Sequence, residues 1–398
     1  MNRKSIGFNE LHNRKGINAN LLHSPTVLAV LPSIGHGGGI ERYANWLLDV
    51  LKNNGSSIVP VPMLRIGERP TLKNKLRFIF QLVKTIHELK STDGCIAIVF
   101  HPNLAALSLL IFKVTRIKVL RSYIVFYGED IWNSTFFIKL LIHKFKAVML
   151  TISSFSSGAL SKIGQAQIIA PGLDEEWFNT LTNASKSYTK DRSTDGPTVL
   201  TVFRLDSAVS KGILEIVEAI KVVREREKVE CRLIVAGSGS LPNNLVEMIN
   251  KLDWISVESN IDDKYLAKLY AQADIFVLAT RTTSIKPTSG EGFGLVLVEA
   301  QIAGTTVIAP AFGGSDDTFL NGITGLKPID ESSEALAGVL SVFILNEKCR
   351  LQYGENARIW SSAKFNPKFA RSRVNNLLHI NSGSTADEYL NLAFKQAD

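Results

Sequence analysis

Thr26-Val-Leu-Ala-Val-Leu31 is followed by Gly35-His-Gly-Gly-Gly39 and then by apolar positions at Ile40, Tyr43, Trp46, Leu47, Val50 and Leu51. The first run is short and apolar throughout, as a strand covered on both faces must be. The last set has helical spacing. Strand, glycine loop and helix, in that order, form the opening unit of a doubly wound α/β sheet. Apolar runs recur at Ile96–Phe100, Tyr123–Tyr127 and Ala147–Ile152, each before a loop or helical signal.

A polar stretch, Asn183 to Pro197, interrupts this series. A second series begins behind it. Val199–Phe203, Arg232–Ala236, Ile275–Ala279 and Thr306–Ala309 read as strands. Ile213, Ile216, Val217, Ile220 and Val223 form a helical stripe. The expected organisation is a basic tail over 1–24, a first α/β domain over 25–185, a linker over 186–197 and a second α/β domain over 198–363. A segment over 364–398 follows, with a helix broken at Phe365-Asn366-Pro367 and restarted over Phe369–Leu378. A chain of 398 residues suits two domains of similar size.

The composition, 45% hydrophobic and 21% charged, excludes collagenous and wholly disordered chains. The formal charge is +8, and it is unevenly spread. Residues 1–190 hold 23 basic and 11 acidic side chains, whereas residues 191–398 hold 22 and 26. The first half therefore faces an anionic partner if either does. Three scattered cysteines, Cys95, Cys231 and Cys349, match no metal spacing and suit a reducing compartment. The polar N-terminus lacks the apolar core of a signal peptide. The longest uncharged run, Cys95–Phe112, is broken by His101-Pro102-Asn103 and reads as strand, loop and helix rather than a membrane span. The expected location is cytoplasmic, with peripheral contact at the inner face of the membrane.

That contact has a candidate element. Leu72–Lys90 carries Leu72, Leu76, Ile79, Val83 and Ile86 at helical spacing, with Phe78 and Phe80 nearby and Lys73, Lys75, Arg77, Lys84 and Lys90 around them. Phe136–Lys146 has a similar mixture. Such a basic amphipathic helix can lie on an anionic membrane, or it can turn its apolar stripe into a domain core.

Chemistry concentrates in the second half. Ser289-Gly-Glu-Gly-Phe-Gly-Leu-Val-Leu-Val-Glu-Ala300 places Glu291 in a glycine loop and Glu299 in the apolar helix behind it, about two turns in. A glycine loop at a helix start offers N–H groups and a positive dipole end to a phosphate. Two carboxylates at fixed separation can accept hydrogen bonds from hydroxyls at two ends of one ligand. Phe203-Arg-Leu-Asp-Ser-Ala-Val-Ser-Lys-Gly212 follows a strand, so Arg204 and Lys211 fall at the carboxyl end of a parallel sheet, where ligands bind. Two cations there suit a diphosphate.

These motifs, with Val235-Ala-Gly-Ser-Gly239 between them, resemble the retaining glycosyltransferases of family 4. The first half agrees: Gly37-Gly-Gly-Ile-Glu41 is similar to that family's first glycine loop, and Pro171-Gly-Leu-Asp174 to the motif closing its first domain. The resemblance spans about residues 25–380. It implies the GT-B fold: two Rossmann-like α/β/α domains facing across a cleft, with a C-terminal helix crossing back to the first. It implies transfer of a hexose from a nucleotide-diphosphate sugar, UDP- or GDP-linked, to a saccharide or polyprenol-linked acceptor in polysaccharide or glycolipid synthesis. Arg204 and Lys211 would hold the diphosphate, Glu291 the sugar hydroxyls and Glu299 the ribose. Phe293, Gly294 and Leu295 would supply backbone N–H groups, Gly38 and Gly39 a close backbone approach, and His101 a contact near the donor sugar. Glu129 and Asp130 would shape the acceptor site. No cofactor or metal is expected, and no nucleic-acid partner.

The chain also departs from the pattern. Phe203 replaces the glycine common before the arginine, Arg204 and Lys211 stand seven apart, and Asp316-Asp317 follows Gly313-Gly314 where a lone glutamate is usual. These departures bear on donor identity. Two rivals share the cleft: a GT-B nucleotide-sugar epimerase and an inactive sugar-nucleotide-binding protein. A nicotinamide-dependent oxidoreductase fits less well, because Ile40 stands where a Gly-x-Gly-x-x-Gly reading needs its last glycine.

Overall fold

Alternation of strand and helix yields two six-stranded sheets, every pair in them parallel. The computed structural model describes residues 26–35, 39–91, 93–127, 136–187, 196–283 and 290–378. The expected tail over 1–24, most of the linker, and residues 379–398 lie outside them.

The first sheet holds β1 (Thr26–Ser33), β2 (Ile58–Leu64), β3 (Cys95–Val99), β4 (Val119–Phe126), β5 (Val148–Thr151) and β6 (Ala166–Ile168), ordered β2-β1-β3-β4-β5-β6. Period-two alternation splits its side chains between two layers. Val27, Ala29, Leu31, Ile98 and Val125 face α1 (Gly39–Asn53) through Tyr43, Leu47 and Leu51. Leu28, Val30, Val99 and Phe126 face the other side. There they meet α2 (Leu72–Leu89) and α3 (Pro102–Thr115), with α4 (Phe136–Phe145) beside α3. A short α5 (Ser154–Leu160) follows β5.

The second sheet holds β7 (Thr198–Val202), β8 (Arg232–Gly237), β9 (Ile255–Ser259), β10 (Ile275–Val277), β11 (Thr306–Ile308) and β12 (Gly325–Leu326), ordered β12-β11-β10-β7-β8-β9. The described helical connections are α7 (Ile213–Glu227), α8 (Asn243–Ile249), α9 (Asp263–Gln272) and α10 (Leu295–Ile302), and α11 (Ser333–Leu345) follows β12. Two further helices, α12 (Glu347–Lys364) and α13 (Pro367–Leu377), end the described chain. A buried ion pair braces this half: Arg350 Nε lies 3.3 Å from Asp274 Oδ1, and Asp274 Oδ2 accepts from the Thr198 N–H at 2.9 Å.

Four strands escaped the sequence reading, and each has a reason. Pro60 and Pro62 interrupt β2, which tolerates them as an edge strand. β9 is mostly exposed and polar, while β6 and β12 span three and two residues.

One apolar core runs through both halves. Leu47, Tyr127, Ile152 and Leu173 share a continuous cluster with Leu278, Phe293, Leu297 and Phe365. Two helices change sides. α6 (Glu175–Ser187), counted in the sequence with the first domain, packs on α9 and α10 of the second. α13 returns to pack on α1. Arg371 of α13 meets Glu175 of α6 at 2.7 Å, so the two crossings run side by side.

Candidate active site

In a doubly wound sheet, ligands bind beyond the strand carboxyl ends, where strand order reverses. Here the reversals fall between β1 and β3, and between β7 and β10. The second reversal gathers the sequence candidates. After β7 the chain makes a single 3-10 turn over Leu205–Ser207 and reaches Gly212, which caps α7 at φ +78°. A Cβ at Gly212 would lie 2.0 Å from the Ala279 carbonyl oxygen, so only glycine lets this loop close on the end of β10.

That closure delivers Lys211 to Glu291. Lys211 Nζ lies 3.0 Å from Glu291 Oε2, and Thr280 Oγ1 donates to the same oxygen at 2.8 Å. Glu291 is only 12% exposed. Burial pushes its carboxyl upward, but the Lys211 charge outweighs it, together with hydrogen bonds from Lys211, Thr280 and the Phe293 N–H. The net direction is downward, so Glu291 stays an ionised, acceptor-only group. The loop is pinned from behind, where the Gly314 N–H donates to the Glu291 carbonyl at 2.7 Å. Thr280 is a site residue that the sequence reading missed; a lone threonine after a strand has no spacing to mark it.

Arg204 sits in the same loop but apart from that cluster. Its Nη2 lies 3.2 Å from Asp206 Oδ2, and its side chain is 60% exposed. Asp206, also missed, accepts from the Ser240 N–H at 3.1 Å and so ties the loops after β7 and β8 together.

Glu299 lies one turn into α10, not two, because the helix starts only at Leu295. It is buried. Tyr270 Oη donates to its Oε2 at 2.8 Å and Trp177 Nε1 to its Oε1 at 3.1 Å. Burial holds its carboxyl above the usual range, opposed by these two hydrogen bonds and by the Arg42 charge. The two glutamates are thus pushed in opposite directions by their surroundings. The sequence reading missed Trp177, Tyr270 and Arg42, which arrive from three separate helices.

The backbone candidates are divided. Phe293 is a core side chain, edge-on to Phe365 at 6.2 Å, and its N–H is directed to Glu291. Gly294 caps α10 at φ +85°, and Leu295 is its first residue. Gly39 opens α1 with free space around its Cα. His101 stands at the first reversal, after β3, where its Nδ1 accepts from the Asn103 N–H at 3.2 Å and caps α3. A neutral ring bonded this way carries its proton on Nε2. Gly38, Glu129 and Asp130 lie outside the described residues.

The halves meet beside this site. Asp317 Oδ1 accepts from Ser154 Oγ at 2.6 Å, and its Oδ2 accepts from the Ser154 N–H at 2.5 Å. A Cβ at Gly314 would lie 1.9 Å from the Gly292 carbonyl oxygen and 2.7 Å from Ser153 Oγ. The Asp316-Asp317 departure therefore has a use: Asp317 bridges the halves, while Asp316 binds Lys327 at 2.7 Å. Among the described residues no group of three or more His, Cys, Asp or Glu is placed to hold a metal ion.

Residues 186–360 match the family model described as glycosyl transferases group 1. That segment is similar to group 1 glycosyltransferase domains. The described residues have the GT-B fold. The chain is similar to a glycosyltransferase from Rickettsia africae, with TM-score 0.69 and 20% identity over 90% of this chain and 100% of that one. It is also similar to an Anabaena protein crystallised with UDP and glucose, with TM-score 0.67 and 14% identity over 89% and 99%. Among curated relatives, a GDP-mannose-dependent phosphatidylinositol monomannoside mannosyltransferase of Mycobacterium tuberculosis is 27% identical, over 54% of this chain and 56% of its own. The mannosylfructose-phosphate synthase of Agrobacterium fabrum is 30% identical over 37% and 33%. The chain thus spans about half the length, or less, of the curated relatives it matches.

Proposed function

We propose that this protein transfers a hexose from a nucleotide-diphosphate sugar, with retention of configuration and without a metal, to a saccharide or lipid-linked acceptor. The observation that carries this reading is the Lys211–Glu291–Thr280 cluster at the second sheet's reversal. The names of the matched proteins, which include a GDP-mannose-dependent enzyme and a complex with UDP, support a nucleotide-linked donor.

In this reading the acceptor hydroxyl attacks the anomeric carbon from the face that the diphosphate leaves. The bond to the diphosphate oxygen breaks, the bond to the acceptor oxygen forms, and the acceptor proton passes to the departing oxygen. Lys211 spends one N–H on Glu291 and a second on Thr280, and keeps one for the diphosphate. Arg204 reaches from the exposed side of the loop and shares the charge that develops there. Glu291, held ionised, accepts from sugar hydroxyls. Glu299 faces the ribose with both oxygens already oriented by Tyr270 and Trp177. His101 and Gly39 approach from the first domain, while Glu129 and Asp130 remain the proposed acceptor contacts.

A thermal-shift screen against UDP-, GDP-, ADP- and dTDP-sugars tests donor binding, since a ligand held by the folded state raises Tm. NMR of the product then tests retention. An inverted product or no stabilisation by any donor overturns the reading.

A further inference from the structure

We propose that the outward face of α2 docks on an anionic lipid bilayer, and that the acceptor enters the cleft from that bilayer as a lipid-borne sugar. The second clause rests on the transfer reading above; the first does not.

α2 has two apolar faces, and the core uses only one. Phe78, Leu82, Ile86 and Leu89 are buried against the sheet. The stripe expected from the sequence, Leu72 to Ile86, is therefore split. Leu72 and Phe80 are 74% and 72% exposed, and Leu76 and Val83 are exposed with them. Their spacings of four, four and three put these residues on one side of the helix. A single exposed leucine is ordinary, but an aligned row is an interaction surface.

A further exposed apolar residue lies near the cleft. Ile66, 75% exposed, precedes α2 and lies against Gly35, where an added Cβ would overlap its side chain. Gly35 follows β1 at the first sheet's reversal. Ile66 thus adds an exposed apolar side chain at the carboxyl end of the first sheet, the end at which α2 begins. α3, which packs beside α2, exposes Leu110 and Val114 as well.

Charge selects the occupant. At about 100° per residue, Lys73 and Lys84 fall on one flank of the row and Lys75 toward the other. Lysine stems can lie along an apolar surface with their ammonium groups in a headgroup layer. Arg77 contributes less, because Glu68 pairs with it and has its carboxyl lowered to about 2, chiefly by that hydrogen bond. Residues 58–168 hold 15 basic and 5 acidic side chains. An anionic lipid surface complements this excess. The chain's own first 25 residues do not, since they carry Arg3, Lys4, Arg14 and Lys15 against Glu10 alone.

The test is co-sedimentation of the full chain with vesicles of phosphatidylcholine, with and without phosphatidylglycerol. Binding should need phosphatidylglycerol and weaken as salt rises. Leu76→Glu/Phe80→Glu should bind at least about tenfold more weakly, as expected when an inserted face gains charge. It should keep the wild-type Tm and donor-induced thermal shift; if it does not fold, Leu76→Gln/Phe80→Ser takes its place. No binding by wild type at low salt overturns the docking surface, as does unchanged binding by the folded variant. Wild-type self-association abolished by the same substitutions would assign the face to a second copy and overturn it too. If vesicles bind but a lipid-borne acceptor in them is used no faster than its soluble headgroup, the acceptor clause falls. If vesicles bind and no donor is turned over, the transfer reading fails and the docking surface stands.

Discussion

Lys211 and Glu291 are 80 residues apart in sequence, and their charged atoms lie 3.0 Å apart. No local contact joins them. Gly212 closes one loop on the end of β10, and the 313–314 segment supports the other. The pair is therefore a product of the sheet's topology. Replacing Lys211 with Met should lower kcat by about 10²–10³ if the lysine stabilises the leaving diphosphate. Arg204→Ala should fall in the same range, and Glu291→Gln should remain folded and inactive. Steady-state kinetics with the best donor from the screen would check this. Near wild-type turnover in the Lys211 variant would remove the leaving-group role.

Glu299 gives a pH prediction whose sign is fixed. Its folded carboxyl is raised above the ordinary value by burial. Its stabilising contribution is complete below the unfolded pKa and is lost as pH rises through the folded one. Glu299→Gln, which keeps the shape and removes the titration, should gain in Tm relative to wild type as pH rises above the ordinary glutamate value of about 4.3. Glu291 has the opposite sign, being lowered: its contribution is present above the unfolded pKa and is lost as pH falls through the folded one. Parallel Tm–pH curves for wild type and Glu299→Gln would contradict the assignment.

Asp317 should act on domain closure rather than on folding. It accepts two hydrogen bonds from Ser154, a residue of the other half. Asp317→Ala strands a backbone N–H and a hydroxyl that water can reach, so the stability loss should stay near about 1 kcal/mol. Small-angle scattering should show a wider distribution of domain separations in the variant. Identical scattering profiles would mean that the core alone sets the closure.

The Asp274–Arg350 pair predicts a larger loss. Both side chains are under one-tenth exposed. Asp274→Ala leaves the Arg350 charge buried without its partner and strips the acceptor from the Thr198 N–H. A cost of about 3–5 kcal/mol follows for a broken buried pair. Urea unfolding would measure it, and a loss under 1 kcal/mol would mean that water reaches Arg350.

Much of this fold could be read from the chain. Fully covered strands such as β3 and β7 are unbroken apolar runs, and the glycine loops mark the turns into α1 and α10. The reading failed where periodicity carries no information. β9 is polar because little covers it. The buried face of α2 was not legible because the helix has two apolar faces, and sequence spacing does not say which one the sheet takes. At the site, Arg204, Lys211, Glu291 and Glu299 stood out because their neighbours form motifs. Thr280, Asp206, Tyr270 and Trp177 did not, since each matters only through a partner brought from a distant element. The side change of α6 was equally hidden, for an amphipathic helix does not name the surface it covers.

That side change, paired with the return of α13, makes a two-ply spine. Two separate stretches of chain pass between the halves, laid together and tied by Arg371 and Glu175. A single connection would let the halves swivel in any direction. Two adjacent ones restrict them toward turning about one line, like the leaves of a book. A cut in the peptide chain near residue 186 would leave α6 on the first fragment while its apolar partners, α9 and α10, stayed on the second. The pieces should therefore remain clasped after cleavage.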